Sequence, residues 1–178
     1  MGDTFNAINS RKSIRGYSDK AVEKGLLEKI VAAGDKAPLG AALAFRVITD
    51  KGLLARVDQQ THERMLNSGV PFSVERASLP GYRPLYSAPA LIVIASDPER
   101  GALGASAAAE NMIIAATDLG LGSCFVVSPT ATLADPSYSE KLNLPEGYKP
   151  LVGVLLGYTD DPDIFSRPRT PADIAYIE

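Results

Sequence analysis

Two runs in this chain hold almost no polar residue: ALIVIAS, Ala90–Ser96, and LVGVLLGY, Leu151–Tyr158. Continuous apolar runs of this length, the first set off by Pro89, predict strands covered on both faces of a sheet. Between them, GASAAAENMIIAATDLG is apolar nearly all round and broken chiefly by Glu110, Asn111, Thr117 and Asp118. That pattern predicts a helix covered by the core or by a partner subunit, with Gly120 stopping it in the left-handed conformation. SCFVVS, Ser123–Ser128, predicts a short strand. FRVITD, Phe45–Asp50, predicts another, followed by a helix from about Leu53.

Elsewhere the apolar positions recur at helical spacing. Phe5 and Ile8 predict a short amphipathic helix, and Val22, Leu26, Leu27, Ile30 and Val31 form the stripe of a second. Ser18 or Asp19 is expected to cap that second helix and Pro38 to close it. LADPSYSEKLNL reads as a helical connection. Asn67–Pro89 is rich in Pro, Gly and Ser and mixes in Tyr and Phe, which predicts a long ordered excursion of the kind that lines a site. The tail from Asp160 has too few periodic apolar residues for a core helix and is expected to wrap over a surface. The pattern sums to a single α+β domain over residues 1–178, with four or five short strands.

Composition adds boundaries to this picture. At 178 residues and 46% hydrophobic, the chain suffices for one domain with a substantial core. A net charge of −3 argues against a nucleic-acid surface, which needs a net basic face to displace counterions. With one cysteine, Cys124, no disulfide closes within the chain, which suits a reducing cytoplasm. No apolar run reaches the ~20 residues of a membrane-spanning helix, so no membrane role is expected.

Metal and nucleophile chemistry find little support. His62 and Cys124 are single, so a Cys/His zinc site within one chain is excluded in practice. His62 falls in a charged helix, QQTHERM, and is expected at the surface, while Cys124 reads as a buried structural thiol. The basic stretch SRKSIRGYSDK says more. It gathers Arg11, Lys12, Arg15 and Lys20 around Ser13. Arginines hold a phosphate with forked, charge-assisted hydrogen bonds, and a serine hydroxyl adds a directional donor. Arg11, Ser13 and Arg15 alternate, as do Arg167 and Arg169 in RPR, so the two pairs could clamp one phosphate. Spacing alone fits solvated surface charge slightly better.

Five segments, in order along the chain, resemble the FMN-dependent nitroreductase family: RKSIRGY, AAGDKAP, AAENMIIAATDLGLGSCF, LNLPEGYKPLVGVLLGY and SRPR. The resemblance implies a central, mostly antiparallel sheet flanked by helices, and a homodimer whose C-terminal tail is exchanged onto the partner. It implies FMN at the dimer interface, with NADH or NADPH as electron donor. Carried over by position, Arg11, Lys12, Ser13 and Arg15 would hold the flavin phosphate and the pyrimidine edge. Arg167 and Arg169 would complete the phosphate site, and backbone N–H groups around Val127 and Ser128 would stand near N5 and O4. No catalytic side chain is implied, since the flavin carries the redox step. The implied activity is ping-pong reduction of small-molecule acceptors such as nitroaromatics, quinones or enones.

One stretch departs from the family. Leu39–Phe45, LGAALAF, has none of the Asn, Gln or Trp usual there. That departure keeps two alternatives open: a flavin-binding protein with little turnover, or another flavin reaction on the same fold, such as reductive dehalogenation or flavin fragmentation.

Overall fold

Four strands form one antiparallel sheet in the computed structural model, which describes residues 3–38, 41–163 and 170–177. They are β1 (Ala44–Ile48), β2 (Ala90–Ser96), β3 (Gly122–Val126) and β4 (Lys149–Gly157), in the order β1-β2-β4-β3. The two most continuous apolar runs, β2 and β4, take the centre. Every residue of β2 is buried, as a strand covered on both faces must be.

The two covers are different sets of helices. On one face, α2 (Lys24–Gly34) and α5 (Ala102–Asp118) pack against Ile92, Ile94, Val152, Val154 and Leu156. On the other, α3 (Lys51–Leu66) brings Leu54 and Val57 onto Leu91, Val93 and Leu155, joined by Cys124, Leu85 and Leu133. α1 (Asp3–Ser10) leads in, α4 (Pro71–Ala77) lies in the excursion before β2, and α6 (Thr130–Leu133) follows β3. A 3-10 turn (Pro136–Tyr138) and α7 (Ser139–Leu142) lead to β4. All strand pairs are antiparallel. One isolated parallel bridge joins Ser13 to Ser123.

Local chemistry explains the boundaries. Asp50 caps α3 by accepting from the Leu53 N–H at 2.6 Å, so this helix starts earlier than expected. Neither Ser18 nor Asp19 caps α2. Its N-cap is Glu23, without a side-chain bond, and Val22 is buried just ahead of the helix. The same helix ends at Gly34, short of Pro38, and Gly34 lies where a Cβ would meet the Met112 side chain of α5. Gly120 stands at φ 76° and lets the Leu121 N–H return to the Ala116 carbonyl, which stops α5 as predicted.

The amino-terminal helix differs from its expected orientation. Ala7 is the residue it buries, while Phe5 is 62% exposed and Ile8 is also exposed. The described tail residues, 170–177, are all exposed and lie against no core of their own chain.

Candidate functional site

The site is built where the chain's start meets the edge strand β3. After α1 the chain runs extended, and the Ile14 N–H donates to the Ser123 carbonyl at 2.8 Å. Farther on, the Ser18 N–H donates to the Tyr158 carbonyl at 2.8 Å. Ile14 is buried, while Arg11, Ser13 and Arg15 on either side of it are half-buried, the alternation expected of an extended segment. The close approach needs Gly122, where a Cβ would stand 2.9 Å from Ile14 Cγ1.

The four basic residues part company there. Arg11 pairs with Glu110 of α5 at 3.0 Å, and Lys12 pairs with Asp163 at 2.6 Å. Arg15 donates to the Ser13 carbonyl at 3.3 Å and acts on Cys124, as does the Ser13 hydroxyl. Lys20 lies over the Tyr158 ring, 3.8 Å from its centroid. Both carboxylate partners of Arg11 and Lys12 are well exposed, and such surface pairs are worth about 0–1 kcal/mol. A hydrogen bond to a charged group is worth about 1.5–3 kcal/mol, so an incoming phosphate can displace them. The segment therefore fits a phosphate. Arg167 and Arg169 fall outside the described residues, as do Leu39 and Gly40.

Past the bridge at Ser123, alternation along β3 turns the Phe125 N–H away from β4, toward the open edge. The Val127 carbonyl accepts from the Thr130 N–H and hydroxyl, at 3.0 and 2.8 Å. This turn fixes Val127 and Ser128 at the rim of a pocket of about 470 Å3. Val127 is 55% exposed there. Two side-chain oxygens beneath the site, Tyr17 Oη and Ser123 Oγ, are buried with no partner among the described residues. Unsatisfied buried polar atoms are rare in a finished interior, and both lie beside the cationic segment. An exposed Val127 beside Ser128 at the pocket rim, cations at residues 11–15 and two unpaired polar atoms beside them together suit a flavin nucleotide.

The far wall of the pocket comes from the excursion Asn67–Pro89, as its composition predicts, although no single residue of it stands out in the sequence. Arg76 of α4 donates to the hydroxyls of Tyr82 and Tyr86, at 3.2 Å for the first, and its guanidinium lies 5.3 Å from the Tyr82 ring centroid. Tyr86 and Ser87 are both in the left-handed region, at φ 50° and 60°. For non-glycine residues that costs about 1–3 kcal/mol each and needs support from elsewhere. Asp58 supplies it. Its buried carboxylate accepts from the Leu85 N–H at 2.7 Å and from Arg83, fixing the loop that carries both tyrosines. His62 also turns inward. It is half-buried, with Nε2 2.7 Å from the Ala77 carbonyl, so the expectation of an exposed histidine is corrected: the end of α4 leans on it.

Burial dominates the titration of the site. It pushes the Cys124 thiol up, against the opposing pull of Arg15, Ser13 and Arg76. Tyr17 is pushed well up by burial, and Tyr82 is pushed up to about 12 by burial and by Tyr86. At neutral pH the thiol and both phenols are neutral. No three acidic, histidine or cysteine side chains cluster as a metal site among the described residues.

The Nitroreductase family model matches residues 8–158. A nitroreductase with bound FMN from Desulfitobacterium hafniense DCB-2 is 26% identical, with a TM-score of 0.89 and all of both chains covered. A second nitroreductase with bound FMN, from Bacteroides fragilis NCTC 9343, is also 26% identical over all of both chains, with a TM-score of 0.85. The oxygen-insensitive NADPH nitroreductase of Salmonella typhimurium LT2 is 28% identical, covering 100% of this chain and 74% of that protein.

Proposed function

This chain belongs to the nitroreductase family, and on that premise we propose that it is an FMN-dependent NAD(P)H oxidoreductase that reduces small-molecule acceptors. The observation that carries the reading is the bridge between Ser13 and Ser123, which sets a cationic segment against the strand ending at the pocket rim. Relatives similar over the whole chain are named as nitroreductases with bound FMN and as an NADPH nitroreductase.

In this proposal Arg11, Lys12, Ser13 and Arg15 bind the phosphate and pyrimidine edge of FMN, with Arg167 and Arg169 adding to the phosphate site. The Val127 and Ser128 N–H groups donate to the reactive edge of the ring. When bound, FMN supplies the hydride chemistry that the side chains lack. The protein holds the ring, leaves one face open to the pocket and keeps the thiol of Cys124 out of the reaction. Donor and acceptor use that face in turn, which predicts ping-pong kinetics with nitroaromatic, quinone or enone acceptors.

The site is completed by a second copy of the chain. The outward side of α5 carries Leu103, 87% exposed, and Phe5 and Ile8 of α1 are exposed beside that helix. The tail adds Ile174, Tyr176 and Ile177, all exposed. So much exposed apolar surface on a small domain suits an obligate homodimer interface with exchanged tails. Anaerobic mixing of FMN-loaded protein with NADH and with NADPH tests the activity: bleaching of the flavin by at least one is expected. A fully loaded protein that neither nicotinamide reduces would leave a flavin-binding protein without turnover.

A further inference from the structure

No carboxylate lines the 470 Å3 pocket among the described residues, whereas two arginines, Arg64 and Arg76, do. Arg64 has Asp135 within electrostatic reach, but the described hydrogen-bond partners of Arg76 are two neutral phenols. Its charge is thus left uncompensated in a half-buried position, where an anion would gain most. The phenols do not dissipate that charge: Tyr82 keeps its proton far above neutral pH. They orient the guanidinium instead, and the left-handed backbone at Tyr86 and Ser87 is held for the purpose by Asp58. Phe72 and Tyr82 add aromatic walls, and Ser128 stands on the same pocket's rim. The pocket's volume lies within the usual range of small-molecule sites, about 300–1,000 Å3.

We propose that Arg76, oriented by Tyr82 and Tyr86, is an anion receptor that selects aromatic acceptors carrying a carboxylate. This rests on the oxidoreductase reading and names its substrate class. For an aryl nitro acceptor the step balances as one NAD(P)H and one solvent proton giving NAD(P)+, the nitroso compound and water. The carboxylate is untouched and serves only as a handle.

A matched pair of probes tests the handle: 4-nitrobenzoate and its neutral counterpart 4-nitrobenzamide. The FMN-loaded wild type should favour the carboxylate in kcat/KM, and no preference would overturn the proposal without variants. Arg76→Gln should lower kcat/KM for 4-nitrobenzoate about 10- to 100-fold, the loss expected for a charge-assisted hydrogen bond, and change 4-nitrobenzamide less than about threefold. Arg76→Lys should recover part of the loss. Calorimetric binding of benzoate, which cannot be reduced, should weaken in parallel. Equal losses for both nitro probes, or benzoate binding untouched by Arg76→Gln, would make Arg76 a packing residue. Absence of flavin reduction in wild type would sink the oxidoreductase reading instead, while benzoate binding would still report on the receptor.

Discussion

At the scale of single residues, the strongest effect at the site is desolvation. Cys124 lies within reach of two guanidinium groups, yet burial outweighs them and the thiol stays protonated. Cys124→Ser should keep most of the turnover, and activity lost with flavin still bound would assign the sulfur a role. The same desolvation sets an alkaline limit. In the unfolded chain a thiol and phenols titrate near their ordinary values, 9.0 and 10.0, whereas in the fold Cys124, Tyr17 and Tyr82 hold their protons higher. Their contribution to stability is complete below about pH 9 and is lost as pH rises through the folded values. The urea midpoint should therefore fall between about pH 9 and pH 12, and fall less in Tyr17→Phe. Residue chemistry was only partly legible in the sequence. The alternation of Arg11, Ser13 and Arg15 was visible in the sequence, and their half-burial on either side of buried Ile14 follows it. Arg76 did not stand out, because Tyr82 and Tyr86 reach it through a loop that Asp58 pins from another helix.

At the scale of elements, the apolar runs read true because strands covered on both faces leave no room for polar residues. ALIVIAS is β2 with the same bounds, and LVGVLLGY forms most of β4. The helix inside the excursion was missed, although Pro71 in its first turn was a start signal. Caps were misjudged where tertiary packing supplied what a side chain did not, as at Glu23. Two substitutions test these junctions. Asp50→Ala should cost about 1 kcal/mol in thermal or urea unfolding, since the Leu53 N–H loses its acceptor. Gly122→Ala should cost about 1–3 kcal/mol, because Ile14 is buried, branched and 2.9 Å from the added methyl. It should also loosen FMN, measured by fluorescence on dilution, although it removes no cation. Unchanged flavin affinity would show that the segment around Ser13 does not need its register.

At the scale of the whole molecule, the sheet is complete but the surface is not. Helix α5 is covered by the sheet, α2 and α1, and still leaves Leu103 bare, while Phe5 of α1 is exposed as well. Light scattering at micromolar concentration should give a dimer, and Leu103→Asp should shift it toward monomer with loss of flavin. A folded wild-type monomer that retains FMN would refute the shared site.

The docking of the chain's start has a consequence for synthesis. Residues 14 and 18 are held by carbonyls of Ser123 and Tyr158, which leave the ribosome long after them. Until β3 and β4 have emerged and paired, the first cations have no surface to lie on, and contacts this distant in sequence form slowly. A nascent chain cannot capture its cofactor early. Loading must follow the emergence and pairing of both strands, so the cofactor meets a sheet already built.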